Sequence, residues 1–225
     1  MLTTILYIIA IPLFGAGTTA EPFAPESLGL AVRDMIYLHA QPSTYSYLNG
    51  IYHLALPLLL VPGVMATYLA LKEADRRPVR NASILAGLSM VISLALAQVG
   101  YWLVNLSNSY MATTDTAQQA SIAASADVAI RILGVGEVVS GFLLFGWILV
   151  TSRVASSQGL VSSRVMYLGY FGAFGGPFLG ALTILFTVVV QSWSAFYFAY
   201  PIFTPFFFIW FIWFPVFGLK LFRLG

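Results

Sequence analysis

The stretch that decides the fold runs from Asp127 to Val150 and reads DVAIRILGVGEVVSGFLLFGWILV. It has the length and oiliness of a membrane-spanning helix, which needs about 20 mostly apolar residues. Yet it carries Asp127, Arg131 and Glu137. Charge inside a bilayer is expensive and is usually kept for a purpose. The question is what surrounds the stretch and what Glu137 is for.

The whole chain resembles its centre. Its 225 residues are 60% hydrophobic and 8% charged, with a mean hydropathy of +0.89. Soluble domains are about 45–50% apolar and about 25% charged. The composition therefore predicts an all-α, polytopic integral membrane helical bundle. The net charge of +2 is too small to argue for nucleic acid. With no cysteine, the chain has no disulfide, thiolate metal site, iron–sulfur cluster or cysteine nucleophile.

Six segments have the length and apolarity of a span: Leu2–Thr18, Tyr47–Leu71, Ala82–Leu106, Val128–Ser152, Val165–Trp193 and Phe196–Leu221. They form one transmembrane domain over residues 1–225. The first is short and could be a signal peptide ending at Thr18-Thr19-Ala20. It lacks the Lys or Arg that normally precedes a signal's apolar run, so we read it as a retained span. Lys72, Arg76, Arg77, Arg80, Arg153, Arg164, Lys220 and Arg223 all fall on one side of this six-span arrangement. The excess of basic residues marks that side as cytoplasmic. Both termini are then cytoplasmic, and only Arg33 and Arg131 lie near the outer face.

Two outer segments exceed simple turns. Pro25-Glu26-Ser27 can start a helix over 27–40, with Leu28, Val32, Met35 and Ile36 as an apolar stripe. Such a helix lies in the membrane interface or packs on the bundle as an ordinary loop helix. The segment SNSYMATTDTAQQASIAASAD, Ser107 to Asp127, has few breakers and reads as a polar helical extension of span four.

Small residues set the expected packing. Gly172, Gly176 and Gly180 recur every fourth residue in span five, and span four offers Gly136 and Ser140. Small residues at this spacing let backbones approach closely, so spans four and five are expected to cross tightly. Span six, AFYFAYPIFTPFFFIWFIWFPVFG, is dense in aromatics. It could offer a surface to a lipid, quinone, carotenoid or neighbouring subunit. The plainer reading, which we favour, is lipid-facing bulk with interfacial belts.

Few polar residues fall within the spans: Asn49 and His53 in span two, Gln98, Tyr101 and Asn105 in span three, Arg131 and Glu137 in span four. Asp127 and Arg131 stand one turn apart, acid first, the favourable order for an ion pair on one face. Arg131 can also snorkel to the headgroups. This pair needs no functional explanation. Arg131 and Glu137 are six residues apart and lie on different faces. A carboxylate alone in hydrocarbon takes up a proton rather than stay charged, so Glu137 asks for a partner. His53, Gln98 and Tyr101 on neighbouring spans are the candidates. With one histidine inside a span, bis-histidine haem ligation is not expected. A metal centre from His53, Glu137 and His39 has suitable ligand types but no supporting spacing. No span carries a lysine for a Schiff base, and no nucleophile elbow, phosphate loop or zinc motif is present.

Three further stretches carry a resemblance. They are LHAQPSTYSYLNGIYHL from Leu38, ATYLALKEADRRPVRNASILAGL from Ala66, and GEVVSGFLLFGWILVTSRVASSQGLVSSRVMYLGYFGAFGG from Gly136. Over Leu38 to Gly180 the chain resembles an uncharacterised, domain-of-unknown-function family of small multi-span bacterial membrane proteins. The resemblance implies about six helices and a bacterial inner membrane. It brings no catalytic residues, and the aromatic span six departs from the family pattern.

Three functions compete. The sequence favours a non-catalytic accessory subunit of a larger membrane complex, packing through its glycine face and aromatic last helix, with membrane lipids and other membrane subunits as partners. The alternative is a small transporter or proton-coupled carrier using Glu137 and His53. The third is a membrane enzyme acting on a lipid, quinone or gas, for which no base or metal site can be assembled.

Overall fold

The computed structural model describes Ser46, Asn49 to Phe174, Phe178, Ala181, Leu182, Leu185, Ile209, Ile212, Trp213 and Val216 to Lys220. The expected span Leu2–Thr18 and the interfacial helix over 27–40 lie outside these residues, as do most of spans five and six. The described chain is helical, with no strand among the described residues.

A π-helical segment, Gly50–Ala55, leads into α1, Leu56–Leu71. Pro57 explains the wider turn. In an α-helix the amide of residue 57 would bond the His53 carbonyl, and proline has no amide to give. A tight turn over Lys72 to Asp75 then reverses the chain into α2, Arg76–Ala112. Asp115 caps the next helix, α3, Thr116–Ser157. Its carboxylate accepts from the backbone N–H groups of Ala117 at 2.9 Å and Gln118 at 3.5 Å.

Helix α3 stops at Gly159, whose φ of 69° is the left-handed conformation that glycine adopts without strain. The Gly159 N–H bonds the Ser156 carbonyl at 3.0 Å and the Leu160 N–H bonds the Ala155 carbonyl at 2.9 Å. This pair of bonds is a Schellman motif. After it comes α4, Ser163–Ala173.

Three helical stretches are long and apolar enough to cross a membrane: His53–Leu71, Arg76–Ala112 and Thr116–Ser157. The last two have 37 and 42 residues. At 1.5 Å per residue they reach about 55 and 63 Å, against about 30 Å of hydrocarbon. The surplus forms a helical hairpin. The polar segment after Ser107 is helical, but it divides between two helices at Thr113 to Asp115 rather than extending span four alone.

Helices α2 and α3 run antiparallel along a continuous seam. A methyl at Gly146 would meet Leu85 at 3.2 Å, Ser89 bonds Ser140, and a methyl at Gly136 would meet Leu96 at 2.5 Å. Beyond these, Leu103 packs with Ala126 and Ala129. The larger core lies at the basic-turn end, where Leu60, Leu71, Val79, Trp147, Ile148 and Val165 are buried together. The antiparallel register puts the turns bearing Lys72–Arg80 and Arg153–Arg164 at one end and Thr113–Asp115 at the other.

The packing differs from the sequence expectation in one respect. Gly136 and Ser140 face α2, not span five, because the serines of α2 meet Ser140 there and Leu96 fills the Gly136 notch. Gly172 is buried, whereas Gly176 and Gly180 lie outside the described residues. The tight spot on α4 is Gly169, where an added methyl would meet the Ser152 hydroxyl and stand 2.6 Å from the Trp213 indole nitrogen. The described aromatics of span six also turn inward. Trp213 is fully buried edge-on to Trp147 at 6.3 Å and stacks on Phe217 at 4.7 Å. These two belong to the core rather than to a lipid-facing belt.

Candidate functional site

His53 lies in the π segment and Glu137 lies midway along α3. The fold brings them together, with His53 Nε2 3.4 Å from Glu137 Oε1. That is longer than a well-formed hydrogen bond. The histidine side chain is 14% exposed and the carboxylate 36%, so the pair lies at the border between the bundle and its surroundings.

One turn above His53, the backbone is pinned. Asn49 Nδ2 donates to the Ala97 carbonyl at 3.0 Å, and Asn49 is buried. Its Oδ1 has no hydrogen-bond partner and rests on Gly100. A methyl at Gly100 would stand 2.6 Å from Asn49 Cγ and 2.8 Å from Nδ2, so only glycine fits. Tyr101 is half-buried, and its hydroxyl lies 3.4 Å from the position a methyl on Gly50 would take. Asn49, Gly50, Gly100 and Tyr101 thus fix the entry of span two against α2.

The remaining sequence candidates separate from the pair. Gln98 and Asn105 are exposed on α2. Arg131 Nε donates to Asp127 Oδ2 at 2.7 Å, an exposed ion pair one helical turn long. Among the described residues no three His, Cys, Asp or Glu side chains form a metal-holding group. His39, the third member of the weighed metal set, lies outside the described residues.

Sequence reading missed the polar layer beneath the pair. Ser89 Oγ lies 2.7 Å from Ser140 Oγ, and Ser93 Oγ lies 3.1 Å from it. Ser89 Oγ also donates to the Ser140 carbonyl at 3.0 Å, and Ser140 Oγ reaches the Ser89 carbonyl at 3.2 Å. Serines in apolar helices commonly bond their own preceding turn, as Ser83 does to Val79. Spacing alone does not separate the two habits. The one available signal was that Ser89 and Ser93 stand one turn apart on a single face.

No protein-family model, curated protein or solved structure matches this chain. The site's meaning rests on its own chemistry.

Proposed function

We propose that the chain is a small multi-pass membrane carrier whose movements are coupled to protonation of the His53–Glu137 pair. The observation that carries this reading is the 3.4 Å approach of an imidazole on span two to a carboxylate on α3. An ionisable pair at such a depth is the usual hardware of proton relays. A π segment and Pro57 at the same level support the reading, since broken helices line the binding sites of many transporters. The six-span arrangement with cytoplasmic termini and the bacterial inner membrane belong to this proposal. They are supported by the clustering of the basic turns at one end of the described helices.

The test is proton uptake into liposomes holding the full chain and a pH-sensitive dye, driven by an imposed membrane potential. Glu137→Gln should abolish the uptake, and His53→Gln should reduce it strongly. Equal uptake by wild type and Glu137→Gln ends this reading.

A second reading, a non-catalytic subunit of a larger complex, is favoured by a separate observation. Tyr167 and Phe171 on α4, with Phe174 just past its end, form an exposed aromatic stripe, 55%, 57% and 46% accessible. Purification in mild detergent distinguishes the two: a stoichiometric second membrane protein supports the subunit, and a monodisperse single chain supports the carrier.

A further inference from the structure

We propose that the Ser93 and Ser140 hydroxyls are the second resting place of the Glu137 carboxyl group, which alternates between His53 on span two and this serine pair on the α2–α3 seam. The inference rests on the reading of His53–Glu137 as the coupling pair.

Glu137 and Ser140 are three residues apart on α3 and therefore neighbours on its surface. The serine hydroxyls have more than one acceptor within reach. In both Ser89–Ser140 and Ser93–Ser140 either oxygen can be the donor. The Ser89 and Ser140 carbonyls are further acceptors in reach. A hydroxyl of the network can turn toward a carboxyl group while its neighbours stay bonded. Ser93 is only half-buried, which leaves the network open on one side.

The chemistry of the two partners is complementary. An imidazolium suits a carboxylate. A carboxylic acid has one donor and one carbonyl acceptor, and a hydroxyl can serve both. The proton balance is simple. One proton arrives from water on the exposed side of Glu137 and neutralises the carboxylate, its hold on His53 Nε2 weakens, and the acid moves to the serines. When the proton returns to water, the carboxylate swings back. The serines undergo no net protonation. The other ionisable side chains on the described parts of these elements include Tyr101 on α2, the separate Asp127–Arg131 pair on α3, Tyr167 and Tyr170 on α4, and Lys220 in span six. Release of His53 frees the π segment, while the Asn49–Ala97 bond holds the chain just above it as a fixed point.

The experiment is difference infrared spectroscopy on the full chain in liposomes, alongside potential-driven proton uptake. Glu137→Gln identifies the protonated carboxyl band by its loss. In Ser93→Ala/Ser140→Ala that band should move to higher wavenumber, as a freed carbonyl does. Uptake should slow about fivefold, the effect of one net hydrogen bond. An unmoved band with unchanged uptake overturns the inference and leaves the pair's role intact, whereas uptake that survives Glu137→Gln overturns the pair's role itself. Should the double variant not fold, Ser93→Ala and Ser93→Thr carry the comparison. Thr keeps the hydroxyl and should keep the band in place, and an equal shift in both variants overturns the inference.

Discussion

Gly100 shows how much one atom decides. The Asn49 amide occupies the space a side chain would need, with its Nδ2 bonded to the Ala97 carbonyl one turn below. Gly100→Ala must push the amide off α2 or part the helices, and overpacking of this kind costs about 1–3 kcal/mol. A lower thermal midpoint in detergent, with weakened proton uptake because His53 is displaced, is the expected result. An unchanged midpoint would show that the contact is loose. Asp127 and Arg131 are the contrast. Their ion pair is exposed and local, so Asp127→Asn should leave the midpoint unmoved. Both residues of that pair were legible in the sequence, because a one-turn spacing is a property of a single helix. Glu137 was legible as a residue needing a partner. Its choice of His53 over Gln98 was not, because that depends on which face of α2 turns away.

At the scale of the element, the expected span ends fell short of the helix ends: span four was ended at Ser152, whereas α3 runs on to Ser157 and stops where the left-handed Gly159 makes its backbone bond. Gly159→Ala forces a Cβ into that conformation at about 1–2 kcal/mol. Gly159→Asn should be milder, since asparagine tolerates the left-handed region. Urea or thermal unfolding of both variants in detergent measures the difference, and equal losses would argue against conformational strain as the cause. The helical hairpin around Thr113 to Asp115 was half visible. Its polarity and lack of breakers announced helix, but the reversal hangs on the Asp115 cap, whose worth is about 1 kcal/mol and whose position is one short polar residue among many. The π segment had a visible cause in Pro57 and no visible form. Proline states which amide is missing, and the surroundings decide how the helix absorbs the loss.

For the whole molecule, the antiparallel register predicts sidedness. Cysteines placed at Arg77 and Gln158 should react with an impermeant thiol reagent from one face of a sealed membrane, and a cysteine at Thr114 from the other. Labelling of Arg77 and Thr114 from the same face would dismantle the spanning arrangement and the carrier with it. The sequence by itself determined the material and the rhythm. Unbroken apolar runs must become helices where water is scarce, since each backbone amide then needs a partner within its own segment. Basic residues fall in the turns because a charge within an apolar span is costly. Only the tertiary structure decided which faces meet. Gly136 and Ser140 look equally fit for span five or α2, because smallness invites any close neighbour and names none. The choice fell to α2, where Leu96 fills the notch and the α2 serines complete the bonds of Ser140. The same choice turned Glu137 toward His53. Pairing across helices is a relation between surfaces, and a linear chain records each surface without recording its match.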